Sequence, residues 1–315
     1  MTASEGPTLA PDLAALLEEL SPADRSGTSP QQQRAEYGEF VEMLRGPEST
    51  FTGDITEHTV TNTASGQVVP IRRYSPDKPT DPDHVLLYFH GGGWVLGNLH
   101  THDRFPRAIA QQLGLEVVAV DYRLAPEHPF PAAFDDCVTV VDHIAQTAKW
   151  IGLCGDSAGG NLAAAVSADR AAVAPVDAQI LIYPGLSVPS EVPDRTLDGL
   201  GLDRDDIDYF WSSYRSDNHL DARLAPLLHP DPIPAPPTLV TTAGFDPLRR
   251  DGVNYATRLA DADVAVTYLP FPQLVHGWLE LAEAVGSAHD ARQQLIDAIG
   301  VLHHSSAPRG VQRRP

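Results

Sequence analysis

Gly155-Asp156-Ser157-Ala158-Gly159 sets a serine between two glycines, directly after the apolar run 150–154 and before an alanine-rich stretch. A serine on so tight a strand-to-helix turn presents its hydroxyl at the carboxyl edge of a sheet. The glycines remove the side chains that would collide there, and the helix N-terminus offers unpaired N–H groups to a developing anion. A hydroxyl is a weak nucleophile until a base takes its proton and an acid orients that base. Of the thirteen histidines, His276 stands out: it follows an expected strand at 264–269 by a short loop and precedes Gly277-Trp278. Asp246 ends the expected strand 238–243 in Gly244-Phe245-Asp246-Pro247. Asp251, Asp261 and Asp263 are rivals, but they fall in or after the next helix, where the periodicity turns them away. Ser157, then Asp246, then His276 is the chain order in which a serine elbow meets its acid and its base. The plain alternative, a helix N-cap serine after a glycine turn, leaves Asp246 and His276 unexplained.

His90-Gly91-Gly92-Gly93-Trp94 follows the apolar run 85–89. Successive glycines let bare backbone approach a ligand and turn N–H groups towards it, as an oxyanion hole requires. A phosphate cradle is the rival, but the Lys-Ser/Thr ending of a P-loop and the spacing of a dinucleotide fingerprint are both missing. His90, His128, His143, His303 and His304 read as structural histidines.

These residues need a scaffold, and the pattern along the chain supplies one. Two amphipathic helices open it: Leu13, Leu16, Leu17 and Leu20 share one face, and Tyr37, Phe40, Val41 and Leu44 share another between Ser29-Pro30 and Gly46-Pro47. A hairpin is expected over 55–74 around Ser65-Gly66. After the Pro-rich joint 75–84, strands at 85–89, 116–122, 150–154 and 179–183 alternate with helices at 104–113, 132–148 and 157–170. Such alternation implies an α/β fold with a mostly parallel sheet covered on both faces. It pauses over 186–237, a Pro- and Asp-rich insertion holding an aromatic helix (Ile207, Tyr209, Phe210, Trp211, Tyr214). It resumes with a strand at 238–243, a helix at 252–259, the strand at 264–269 and a last helix over 282–303. The division expected is a helical cap segment at 1–50, a catalytic domain at 51–305 with a cap insertion at 186–237, and a disordered tail at 306–315.

Composition narrows the function further. The 22 basic against 42 acidic side chains give a net charge of −20, which argues against binding nucleic acid or an anionic membrane. Cys137 and Cys154 form no disulfide framework and lack zinc spacing, so both read as small buried hydrophobes. No run is long enough to span a bilayer and Met1 to Leu20 lacks the pattern of a signal peptide, so a cytoplasmic location is expected. The sequence leaves a homodimer open without requiring one.

The residues 90–94, Asp121-Tyr122-Arg123-Leu124-Ala125-Pro126-Glu127-His128-Pro129-Phe130-Pro131-Ala132, Gly155 to Gly160, Asp246-Pro247-Leu248 and His276-Gly277-Trp278 together resemble the hormone-sensitive-lipase-like (family IV) carboxylesterases, which are α/β-hydrolases. The likeness runs from about Tyr74 to Leu279 in the right order. It implies Ser157 as nucleophile, His276 as base and Asp246 as orienting acid. It also implies an oxyanion hole from the N–H groups of Gly92, Gly93 and Ala158, with His90 and 122–127 supporting the glycine loop. The sequence departs from the family in a shortened link before Trp150, in Arg249-Arg250 where an acidic stretch is usual, and in its loosely matching cap segments. The expected reaction is hydrolysis of soluble short- to medium-chain esters, with no metal or cofactor. Trp94, Asp156, Phe210, Trp211 and Tyr214, with Leu13, Leu16 and Leu17, are the candidate pocket walls. Amide hydrolysis or acyl transfer on the same triad is the alternative, and a non-catalytic small-molecule receptor is the alternative of a different class.

Overall fold

The computed structural model describes residues 8–20, 27–46, 49–189, 195–215 and 220–306. One eight-stranded sheet runs in the order β1-β2-β4-β3-β5-β6-β7-β8. Its strands are β1 (Asp54–Thr61), β2 (Val68–Ser75), β3 (His84–Phe89), β4 (Glu116–Val120), β5 (Trp150–Asp156), β6 (Ala178–Ile182), β7 (Thr238–Phe245) and β8 (Val266–Val275). The hairpin β1–β2 is antiparallel and joins β4 antiparallel, and every pair from β4 to β8 is parallel. Strand β3 shows how period-two alternation feeds both faces of a central strand. Val85, Leu87 and Phe89 join one core cluster, and Leu86 and Tyr88 join the other.

Helices α4 (Ala132–Ile144), α5 (Ala158–Arg170) and α7 (Arg249–Asp261) supply the first cluster; α3 (Arg104–Leu113) and α8 (Gly286–Ser306) supply the second. The link between α4 and β5 is the segment 145–149. Cys137 and Cys154 are buried and unbridged. Among the described residues, no helix is long and apolar enough to cross a membrane.

The two N-terminal helices, α1 (Pro11–Glu19) and α2 (Pro30–Leu44), lie against this body. Ser29 caps α2 by accepting from Gln32 N at 3.2 Å, as its Ser-Pro start suggests. Helix α1 is tied to α8, where Asp12 accepts from Ser287 N and Oγ, each at 2.8 Å. Arg34 of α2 donates to Val95 O, Ala125 O and both oxygens of Glu127, at 2.6–2.9 Å. The insertion contributes α6 (Arg204–Tyr214), whose Ile207, Phe210, Trp211 and Tyr214 are all buried.

Three expectations need correction. Strand β8 runs on to Val275, six residues past its expected end, and leads straight into His276. Pro270 and Pro272 lie within it; among the described residues β8 pairs only with β7 and so is an edge strand, the place in a sheet where proline is tolerated. Asp251 does not face away: α7 begins earlier than expected, and the buried carboxylate accepts from Leu186 N, Ser187 N and Ser187 Oγ at 2.6–2.8 Å. It thereby anchors the start of the insertion. The last helix continues through Ser306, and the rest of the expected tail lies outside the described residues.

One buried ion pair locks the chain between β4 and α4. Asp136, 1% exposed, accepts from the Arg123 backbone N–H at 2.9 Å and from its guanidinium at 2.8–3.1 Å. Removing the carboxylate leaves a partly buried cation without its partner. Asp136→Ala is therefore expected to cost about 3 kcal/mol in urea unfolding, with an unchanged m value.

Candidate active site

The parallel register brings the chemical groups to one edge. Phe89 pairs with Gly155, Asp156 with Ile182, and Ile182 with Thr241, so β3, β5, β6 and β7 end side by side. Phe245 pairs with Val275, which sets the next residue of each strand, Asp246 and His276, next to one another. A side chain on Gly244 would run into the carbonyl of Pro272, so that crossing needs glycine.

Ser157 sits between β5 and α5 with φ 51° and ψ −115°, a conformation L residues rarely adopt. Its N–H donates to Ile182 O at 2.8 Å and its carbonyl accepts from Asn161 N at 3.1 Å, which holds the turn from both sides. A Cβ at Gly159 would overlap the carbonyl of Phe89, and one at Gly155 would overlap the backbone of Gly159. The elbow can pass this close to β3 only with bare glycine backbone.

His276 joins the two other groups. Its Nδ1 lies 2.9 Å from Asp246 Oδ2, and its Nε2 lies 2.8 Å from Ser157 Oγ. A carboxylate only accepts, so Nδ1 carries the proton and Nε2 offers its lone pair to the serine hydroxyl. The other Asp246 oxygen accepts from Leu248 N at 2.7 Å. Burial disfavours a charge on the imidazole, but Asp246 more than offsets it, aided by Glu280 and Asp156. His276 therefore titrates above the ordinary histidine value of 6.5. The ring of Tyr183 stands edge-on to His276 with centroids 4.9 Å apart. Arg249 and Arg250 are exposed at the start of α7, so their charge faces solvent.

The glycine loop follows β3. Gly92 and Gly93 have φ of 105° and 60°, and Gly92 O accepts from Val95 N and Leu96 N. Among the described residues, no protein acceptor takes the N–H of Gly92, Gly93 or Ala158, and all three residues line the cavity beside Ser157. His90 and Tyr122 support the loop: their rings stack at 4.2 Å, and the Tyr122 hydroxyl donates to His90 O at 2.6 Å. Ala125 N donates to Trp94 O at 2.9 Å.

A cavity of about 210 Å³ opens over Ser157. Leu17 and Leu20 from the end of α1, Tyr37 and Phe40 from α2, and Phe210 and Trp211 from α6 form its apolar walls. Trp94 also lines it. Tyr214 does not: it lies behind Trp94 with the rings parallel, centroids 4.3 Å apart, and backs that wall instead of forming it. Leu13 is likewise absent from the walls, because the face of α1 that carries it packs into the second core cluster, with Leu16 packed against that cluster. Asp156 reaches the cavity, but its Oδ1 accepts from Tyr88 Oη at 2.5 Å and Gly91 N at 3.0 Å. Its role is to hold the glycine loop. Glu280 and His102, which no motif singled out, complete a buried polar cluster with Asp156.

Residues 86–280 match the family described as alpha/beta hydrolase fold. Carboxylic ester hydrolase LipN of Mycobacterium tuberculosis is 35% identical over 286 residues, covering 84% of this chain and 74% of its own length. Ethyl acetate hydrolase of Pseudomonas putida is 30% identical over 313 residues, covering 93% of this chain and 98% of that one. Among solved structures, the ester-hydrolase EH1AB1 from the metagenome of Lake Arreo has a TM-score of 0.84 at 32% identity, with 95% of this chain and 100% of that one covered. All three residues of the serine–histidine–aspartate contact fall inside the matched span, and on these likenesses the chain belongs to the hormone-sensitive-lipase-like family of α/β-hydrolase carboxylesterases.

Proposed function

We propose that the protein hydrolyses soluble short- to medium-chain carboxylic esters through an acyl-enzyme on Ser157, His276 and Asp246. The observation that carries this reading is the continuous contact from Ser157 Oγ through the His276 ring to Asp246, at 2.8 and 2.9 Å. Ser157 Oγ attacks the ester carbonyl carbon while His276 Nε2 takes its proton, giving a tetrahedral oxyanion. Its collapse expels the alcohol, which leaves with the proton from His276. Water, deprotonated at the same nitrogen, attacks the acyl-serine and frees the acid. Asp246 holds the productive tautomer and stabilises the imidazolium that forms twice per turnover. The N–H groups of Gly92, Gly93 and Ala158 receive the oxyanion, each contributing on the order of 3 kcal/mol in the transition state.

Residues 1–50 and 186–237 act together as the helical cap over the catalytic domain. Support comes from α1, α2 and α6 lining one cavity above Ser157. Phe210 stands directly over the glycine loop, since a Cβ on Gly93 would strike its ring. That wall favours short and medium acyl chains. Among the described residues, the large apolar side chains exposed elsewhere, such as Val68, Val173 and Val301, stand on separate segments.

Hydrolysis of p-nitrophenyl esters from two to sixteen carbons is expected to peak at short or medium length. Ser157→Ala should lower that peak roughly a millionfold, and release that persists in the variant would refute the assignment. Phe210→Ala should move the optimum to longer chains, as read from kcat/KM across the series. His276 must be neutral to act as base, so the form present below its pKa is inactive. Because that pKa is raised, kcat/KM should begin to fall on acidification at a pH above the ordinary 6.5. Asp246→Asn should lower kcat about 10⁴-fold and move the acidic limb to lower pH.

A further inference from the structure

Two buried side chains outside the motifs sit against the site. Glu280 opens a short 3-10 turn (Glu280–Glu283), four residues after His276. Its Oε2 accepts from the Tyr183 hydroxyl at 3.2 Å, and the Tyr183 ring is the one that stands edge-on to His276. Its Oε1 lies 3.2 Å from His102 Nε2, and Asp156 Oδ2 lies 3.8 Å from the same nitrogen. Asp156 holds Gly91 N through its other oxygen. His102 therefore stands between the carboxylate that carries the glycine loop and the carboxylate that carries the histidine loop.

The charge on His102 follows from its surroundings. Thr101 Oγ1 lies 2.9 Å from Nδ1 and 3.1 Å from Asn98 O, so Nδ1 has a hydroxyl partner whichever of the two takes the threonine proton. Glu280 Oε1, 3.2 Å away, keeps a proton on Nε2, and a second proton on Nδ1 makes the ring a cation. Burial opposes the charge, and Glu280 with Asp156 more than offsets it, so His102 titrates above the usual histidine range. Burial pushes Glu280 up, but His102 brings it below its usual value. Burial and the Glu280 charge raise Asp156 to about 7. The other groups facing His102 are Tyr37 of α2, with ring centroids 6.2 Å apart, and His90, at 5.2 Å. His90 stays neutral, its pKa lowered to about 3 by burial and by the His102 charge. Arg45, Arg104, Glu283 and Arg292 line a small cavity of about 30 Å³ beside His102 and Glu280.

We propose that His102 is a positioning residue of the esterase site: its imidazolium ties the glycine loop, through Asp156, to the histidine loop, through Glu280. The proposal rests on the ester-hydrolase reading above. The tie fixes the oxyanion donors relative to the Ser157–His276 pair, and a small misplacement of either loop weakens transition-state binding more than substrate binding. It also sets the field at His276, because Glu280 and Asp156 favour the imidazolium formed during turnover and His102 partly cancels them.

The test is the pH dependence of kcat and kcat/KM with p-nitrophenyl butyrate, for wild type, His102→Gln, Glu280→Gln and the double variant, with Ser157→Ala as the zero. Glu280→Gln removes a negative charge near His276 and should move the acidic limb down by about half a pH unit. His102→Gln removes a positive charge and should move it up, with kcat about tenfold lower and KM within threefold. The double variant breaks the same tie and removes both charges, so its kcat should be no lower than that of His102→Gln while its limb returns towards wild type. Should His102→Gln fail to fold, Glu280→Gln still tests the tie, since an unmoved acidic limb there would overturn it. Coincident limbs, or a double variant whose losses simply add, would overturn the tie while leaving the esterase reading intact. Absence of Ser157-dependent turnover in the wild type would instead overturn both.

Discussion

The sharp turn at Ser157 is the constraint to which the rest of the molecule answers. A residue held at φ 51° at the mouth of a helix stays there only if its surroundings over-determine it. Here they do. Bare glycine backbone at 155 and 159 lets the turn press against β3, and Ile182 O takes the serine N–H from the neighbouring strand. The parallel sheet can be understood as the frame that pays for this strain. Its central strands are buried on both faces, and their common ends leave one edge where four loops meet.

Burial and charge then have to be reconciled at that edge. Three carboxylates lie within one buried region, an arrangement that would be costly if any of them lacked a partner. Each is met. Asp246 has the His276 ring and Leu248 N, Asp156 has Tyr88 and Gly91 N, and Glu280 has Tyr183 and the His102 ring. Low dielectric makes such contacts stiff as well as strong, and a stiff surround is what an oxyanion site needs if its dipoles are to be in place before the reaction begins.

Much of this was legible in the sequence, and the parts that were not share a cause. Helix α3 and the starts of the strands that lead to Ser157 and Asp246 follow from local signals: apolar runs, glycine turns and helical periodicity. Trp94, Phe210 and Trp211 reach the cavity as their apolar character suggests. Tyr214 does not, because periodicity places a ring on a helix face but cannot say which of two rings stands in front. The extent of β8 was hidden by prolines whose cost depends on the strand being at an edge, a property of the whole sheet. Asp251, His102 and Glu280 carry no motif at all. Their partners lie 65, 178 and 97 residues away at Leu186, Glu280 and Tyr183, and only the closed fold reveals the pairing.

Arg34 gives the first helical segment a standing beyond that of a cover. Its guanidinium occupies carbonyls of Val95 and Ala125, so α2 supplies donors to the very backbone that frames the glycine loop. Detaching α2 would strand those two carbonyls and the Glu127 carboxylate at once, while α1 is bonded separately to the final helix. The described part of this first segment is thus tied through α2 to the middle of the chain and through α1 to its last helix, and contacts of that kind make its opening cooperative with the sheet.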